Sequence, residues 1–125
     1  MGRLGTARFN QKMRLLLRLN NSKTEFSFDP AQIEALVIGR RDPITGDAPM
    51  VDLADYDAEA LGVSRRHATI RRGEANALSV LDHGSVNGTF INGQRLIPDQ
   101  PRILRDGDEL RLGRLVLRVF FQPLQ

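Results

Sequence analysis

Residues 64–93 of this chain read SRRHATIRRGEANALSVLDHGSVNGTFING. Two polar clusters, SRRH at 64–67 and GSVNGT at 84–89, are joined by two short apolar runs. Apolar runs of this length, bounded by Gly and Asn, are typical of β-strands connected by turns. The Arg, Ser and Asn side chains and the glycine-rich backbone are donors of the kinds that an anionic ligand requires. The stretch therefore predicts short strands whose connecting loops can bind an anion.

The same pattern continues on both sides of this stretch. Alternating or short apolar runs predict further strands at 14–19, 24–28, 35–38, 103–104, 109–112 and 115–121. Asn92-Gly93 is the dipeptide that most readily takes the two positive φ angles of a type I′ hairpin. Dense turns without a ten-residue helical period predict an all-β fold, a two-sheet antiparallel β-sandwich with its recognition loops at one end.

The length of 125 residues predicts one domain. Residues 1–12 show no period and predict a flexible N-terminal tail, residues 13–122 form the predicted domain, and residues 123–125 a C-terminal tail. The absence of Cys excludes disulfides and thiolate metal sites. No apolar run is long enough for a membrane span and no signal-peptide pattern opens the chain, so we expect a cytoplasmic protein without a membrane partner.

The longest stretch without a clear strand pair is 41–63, which contains Pro, Gly and several Asp residues. A connection of this length in a compact domain is usually functional or disordered. Its acidic residues lack the Gly and the final Glu of a calcium-binding EF-hand loop. We therefore interpret it as a solvated acidic loop, and no metal site is predicted.

Catalysis and nucleic-acid binding are alternative functions for these residue types. Ser64, His67 and Asp82 are the residue types of a hydrolytic triad, but positions three apart on a strand point to opposite faces and no G-x-S-x-G motif is present. Arg outnumbers Lys by 16 to 2 and the net charge is +3, which suits phosphate or nucleic acid. Few aromatic residues are available to stack on bases, so nucleic acid is the weaker alternative. We expect no enzyme activity and no cofactor.

Phosphate recognition by loops remains, with Arg40, Arg65 or Arg66, and the Ser64 hydroxyl as candidate ligands. Five motifs in the same order closely resemble the forkhead-associated (FHA) domain: Gly39-Arg40, Ser64–His67, Asn87-Gly88-Thr89 with Asn92-Gly93, Leu104-x-Asp106-Gly107-Asp108, and Leu112-Gly113. FHA domains recognise phosphorylated motifs through Arg clusters. The resemblance covers nearly the whole chain, from about residue 14 to residue 121.

The resemblance implies a non-catalytic module that binds phosphothreonine peptides in kinase signalling. The implied partner is a phosphothreonine-containing protein, either a substrate of a Ser/Thr kinase or the kinase itself. Gly88 is expected to take a positive φ. Nine positions carry the implied roles: phosphate-binding Arg40, Ser64 and Arg65; peptide-binding Ser85, Val86 and Asn87; and loop-supporting Gly39, His67 and Gly88.

Val86 departs from the family pattern, because several members place a Ser or Thr hydroxyl at this position. We expect weaker phosphate binding as a result, with the backbone N–H of Val86 retained. This departure and the long 41–63 loop motivate an alternative function, a phospho-independent interaction scaffold that uses that loop.

Overall fold

The structure, a computed structural model, describes residues 5–124. Within them, eleven strands form two sheets, with strand orders β2-β1-β11-β10-β7-β8 and β4-β3-β5-β6-β9. The strands are β1 (Met13–Leu19), β2 (Glu25–Phe28), β3 (Ala35–Gly39), β4 (Val51–Asp52), β5 (Arg66–Arg72), β6 (Leu78–Asp82), β7 (Thr89–Ile91), β8 (Gln94–Arg95), β9 (Arg102–Leu104), β10 (Glu109–Leu112) and β11 (Leu115–Pro123). The structure also contains two short 3₁₀ helices, Pro30–Gln32 and Ala54–Tyr56. The predicted all-β two-sheet sandwich is confirmed.

The core lies between the two sheets and is built from the alternate residues that the sequence pattern places inward. Leu15 and Leu17 of β1 are fully buried, as are Leu36 and Ile38 of β3. The hairpin between β7 and β8 has positive φ at both Asn92 and Gly93, 50° and 84°. The type I′ hairpin predicted from this dipeptide is therefore confirmed.

Residues 5–12 differ from the flexible tail expected there. The Phe9 side chain is 1% exposed and packs edge-on against Phe121, with ring centroids 5.1 Å apart. The Phe9 N–H donates to the Asn76 carbonyl, and the Asp106 N–H donates to the Thr6 carbonyl. A single Phe gives no periodic pattern, yet its burial ties this segment to the sandwich. Residues 1–4 and Gln125, the outer parts of the expected tails, lie outside the described residues.

Much of the 41–63 segment is fixed to the domain. Val51 and Leu53 are fully buried, and β4 adds a short parallel strand to β3. Ala58 and Val63 are also buried. The two-residue strand is too short to leave a recognisable pattern in sequence. Only the first part of the segment, 42–50, remains a loop with mostly exposed side chains.

The loops that follow β3, β4, β6 and β10 meet at one end of the sandwich, called here the loop end. The Gly113 N–H donates to the Gly88 carbonyl (2.9 Å), and the Arg114 N–H donates to the Leu61 carbonyl (2.8 Å). The opposite end, called the far end, carries the turns at 73–77 and 105–108 and the segment 5–12. No helix within residues 5–124 is long and apolar enough to cross a membrane.

Substituting Phe9→Ala should lower the free energy of unfolding by about 3–5 kcal/mol, because it empties a buried aromatic site. Urea unfolding measures this change. The exposed neighbour substitution Arg8→Ala is the control and should change the stability by less than about 0.5 kcal/mol. Equal stabilities of the two variants would contradict the inclusion of this segment in the core.

Candidate functional site

Gly39 brings Arg40 next to the Ser64–Arg65 backbone. A Cβ atom at Gly39 would lie 2.0 Å from the Arg65 carbonyl oxygen and 2.8 Å from that of Ser64, so only glycine fits. The Arg40 N–H then donates to the Arg65 carbonyl at 3.1 Å. The pairing register of β3 and β5 shifts between Ile38 and Gly39. This close crossing of two strand ends places three expected phosphate ligands in one region.

The Arg40 side chain is half-buried, and its position is set by the backbone of the 53–65 loop. Its Nε–H donates to the Val63 carbonyl at 2.8 Å. This bond uses one of the five guanidinium N–H groups, so the two terminal nitrogens remain for a ligand. Because the guanidinium is already fixed, less conformational entropy is lost when an anion binds.

His67 joins the two polar clusters that the sequence singled out. Its Nδ1 accepts the Ser64 N–H at 3.0 Å, and its Nε2 donates to the Gly88 carbonyl at 2.8 Å. This pattern requires a neutral ring with the proton on Nε2. Burial lowers the pKa of His67 below 6.5, although the Gly88 hydrogen bond acts in the opposite direction. Because both ring nitrogens bond to backbone, His67 is not available as a base for the Ser64 hydroxyl.

Asp82 organises the 83–88 loop, a role that the sequence interpretation missed. Its Oδ2 accepts the Gly84 and Ser85 N–H groups at 2.9 and 3.1 Å. Its Oδ1 accepts the Ser85 and Thr89 hydroxyls at 2.6 and 2.7 Å. Burial acts to raise the pKa of Asp82, but these hydrogen bonds together lower it. An Asp followed by Gly-Ser is a pattern of side-chain-to-backbone turns and was the available sequence signal.

The three expected peptide-binding positions lie in different environments. The Ser85 hydroxyl donates to Asp82 and accepts the Gly88 N–H at 3.0 Å, so it stabilises the loop from within. Val86 is 84% exposed. Asn87 is exposed, and its Nδ2 donates to the Gly62 carbonyl at 3.0 Å, which leaves its side-chain oxygen free to accept a ligand N–H.

The positive φ expected at Gly88 is confirmed at 83°. A Cβ atom there would lie 2.7 Å from Nε of Arg95. Glycine suits position 88 for two reasons: the backbone there is left-handed, and it packs closely against the neighbouring strand β8.

A cleft of about 210 Å³ opens beside these residues. It is lined by Arg40, Asp42, Asp47, Ala48, Pro49, Arg65 and Arg66. Nη1 of Arg65 forms an ion pair with Oδ2 of Asp42 at 3.1 Å, and the Asp42 side chain is only 18% exposed. A hydrogen bond from the Ile44 N–H lowers the pKa of Asp42, so it carries a full negative charge at neutral pH. The site thus presents three arginines and, directly beside them, a fixed carboxylate.

A family model described as the FHA domain matches residues 36–113. The chain belongs to the FHA family. It is 30% identical over 118 residues to an oxoglutarate dehydrogenase inhibitor of Corynebacterium jeikeium, a match that covers 82% of this chain and 79% of that protein. It is 34% identical over 101 residues to the glycogen accumulation regulator GarA of Mycobacterium tuberculosis, which covers 73% of this chain and 60% of GarA.

A solved FHA domain from work on phosphothreonine-dependent FHA domain interactions has the same fold, with a TM-score of 0.67 and 28% identity. The similarity covers 89% of this chain and 99% of that chain. The family that the sequence motifs indicated is therefore confirmed. The matched part is less than two thirds of GarA, so the similarity concerns the FHA domain and not the whole of that regulator.

The depressed pKa of His67 predicts a loss of stability in mild acid. The unfolded chain takes up this proton near pH 6.5, whereas the folded chain takes it up only at lower pH. The contribution of neutral His67 should be complete above about pH 6.5 and be lost as the pH falls through the folded-state pKa. Thermal unfolding from pH 8 to pH 5 measures the decline, and NMR titration of the imidazole measures the pKa.

His67→Gln is the comparison, because replacing the imidazole should remove the part of the acid-dependent decline that its protonation causes. A His67 resonance that titrates at or above pH 6.5 in the folded protein would contradict the neutral bridging geometry.

Substituting Asp82→Ala should destabilise the domain by more than about 2 kcal/mol, because three donors in the 83–88 loop and the Thr89 hydroxyl of β7 lose their acceptor. Ser85→Ala should cost about 1 kcal/mol, since it removes one hydroxyl from the same network. Chemical denaturation measures both, and amide hydrogen exchange at Gly84, Ser85 and Gly88 reports loop order. Glu74→Ala at the far end is the control. Unchanged exchange at these three amides in Asp82→Ala would show that the carboxylate does not hold the loop.

Proposed function

We propose that this chain is a phosphothreonine-dependent peptide-binding module in kinase signalling and that it catalyses no reaction itself. The observation that carries the proposal is the crossing at Gly39, where Arg40, Ser64 and Arg65 come together at the loop end. FHA membership supports it, because FHA domains recognise phosphorylated motifs through Arg clusters.

A phosphate enters beside Arg40, which offers its two terminal nitrogens. The Ser64 hydroxyl offers a further donor, and Arg65 retains its Nε and Nη2 groups while Nη1 contacts Asp42. Each charge-assisted hydrogen bond contributes roughly 1.5–3 kcal/mol. Three or four of them, offset by the loss of freedom on association, suit a ligand of moderate affinity.

Asn87 binds the main chain of the peptide beside the phosphothreonine. Its contact with the Gly62 carbonyl holds the amide while the side-chain oxygen accepts a peptide N–H. Val86 offers no hydroxyl to the phosphate and stands exposed next to Asn87, where it contacts the peptide through its methyl groups. Ser85 acts mainly through the loop, because its hydroxyl already forms two hydrogen bonds within it.

The absence of catalysis is supported by the bonding of His67, whose two ring nitrogens are both occupied by backbone groups. The relatives described as an inhibitor and a regulator fit a role in which binding alone alters a partner. The proposed partner is a protein with a phosphorylated threonine, a kinase substrate or the kinase itself. A cytoplasmic location is part of this proposal, and cell fractionation tests it.

A second function, a phospho-independent scaffold, is favoured by one observation. Ile44 and Met50 in the 42–50 loop are 87% and 55% exposed and offer apolar surface to a partner. This function predicts that partner binding survives phosphatase treatment. Binding of any nucleic acid with a steep salt dependence would instead favour the basic surface as the functional element.

Substituting Arg40→Ala should weaken phosphothreonine-peptide binding at least about thirtyfold, equivalent to about 2 kcal/mol, because a central charged donor is lost. Fluorescence anisotropy measures this with degenerate peptides that carry phosphothreonine, phosphoserine or unmodified threonine at the centre. Only the phosphothreonine library should bind tightly. Exposed Arg71 of β5, toward the far end, gives the matched control Arg71→Ala, which should bind as the wild type does. Wild-type affinity in Arg40→Ala would remove Arg40 from the site.

A further inference from the structure

The cleft beside Arg40 is lined by residues of both charges. Three arginines line it together with Asp42 and Asp47, which are called here the acidic wall. Ala48 and Pro49 complete the lining with apolar surface. A simple anion site has no use for fixed carboxylates, because they repel the ligand. The acidic wall therefore calls for a separate explanation.

Asp42 is held rigidly by its own loop. Its Oδ1 accepts the Ile44 N–H at 2.8 Å, and its Oδ2 faces Nη1 of Arg65 at 3.1 Å. The Gly46 N–H donates to the Asp42 carbonyl at 2.9 Å, and the Asp42 N–H donates to the Asp47 carbonyl at 2.8 Å. The carboxylate is thus fixed on both sides and cannot turn away when an anion arrives.

A phosphate that binds Nε and Nη2 of Arg65 shares one guanidinium with Asp42. Asp42 then keeps its negative charge in a position that is mostly shielded from solvent, with a dianion as a new neighbour. A cationic group on the ligand neutralises this excess of negative charge. Asp47, which is exposed and forms no ion pair within residues 5–124, offers that cation a second carboxylate. The methylene stem of Lys or Arg can pack on Ala48 and Pro49 while its charged head reaches the acidic wall.

We propose that the acidic wall selects phosphothreonine peptides that carry Lys or Arg close to the phosphothreonine and discriminates against peptides with an acidic residue there. This inference rests on the proposed function and specifies its ligand class. Asp42 and Asp47 determine specificity, whereas Arg40, Ser64 and Arg65 provide the phosphate affinity.

The test uses phosphothreonine peptides whose flanking residues are neutral. One Lys or one Glu is placed in turn at each of the three positions before and the three positions after the phosphothreonine. The wild type should bind the Lys peptide about tenfold more tightly than the Glu peptide at the position that faces the acidic wall. In the double variant Asp42→Asn/Asp47→Asn the ratio should fall to about twofold or less. Asn at position 42 retains an oxygen for the Ile44 N–H, so the loop keeps its main hydrogen bond.

The matched control is Glu34→Gln/Glu74→Gln, which removes the same number of negative charges at the far end and should keep the tenfold preference. If the double variant at the acidic wall does not fold, Asp47→Asn alone should still reduce the ratio, because the Asp47 side chain supports no backbone hydrogen bond within the described residues.

The outcomes separate this inference from the function on which it rests. Phosphopeptide binding without a Lys preference, or with a preference that the acidic-wall variants retain, overturns the inference alone. Failure of the wild type to bind any phosphopeptide overturns the proposed function and the inference with it.

Discussion

The neutral, buried imidazole of His67 is the contact on which the geometry of the loop end depends. It accepts the N–H of Ser64 from one loop and donates to the carbonyl of Gly88 in another. These loops are far apart in sequence, and the ring connects them through their backbone groups. A buried polar group costs several kcal/mol unless it is bonded, so the ring and both backbone groups satisfy one another only in this arrangement. The position of Ser64 is therefore determined by the same contact that positions the 83–88 loop.

The second constraint on the loop end is the close approach of backbone segments to one another, which glycine residues make possible. At Gly39 the strand end lies so near the Ser64–Arg65 backbone that no side chain fits. At Gly113 a Cβ atom would come within 2.7 Å of the Leu61 carbonyl, which holds the β10–β11 turn against the 53–65 loop. The loop end is thus a set of backbone segments in close contact, from which the exposed charged side chains extend.

The strands, the β7–β8 hairpin and the family could be predicted because each depends on local pattern or on short motifs in a fixed order. Phe9, β4 and the ion pair of Asp42 with Arg65 could not, because their partners are distant in sequence and their own neighbours show no period. Asp82 was visible as a residue type, but its role depends on four donors that converge only after the loop closes. Sequence thus predicts which residues lie at the loop end better than it predicts how their hydrogen bonds are shared.

The polar groups at the loop end are of two kinds, buried groups that bond to the protein itself and exposed groups that can bond to a ligand. Asp82 and His67 are almost fully buried, and their bonds go to the protein itself. Arg65 and Asn87 are exposed and retain donors or acceptors for a ligand. Exposed charges interact weakly in water. For an arginine on a mobile loop, the free energy gained from a phosphate would be largely offset by the conformational entropy that the side chain and loop lose on binding. Buried hydrogen bonds that fix the loops in advance remove that entropic cost, and a small set of surface donors can then hold a phosphate with useful affinity.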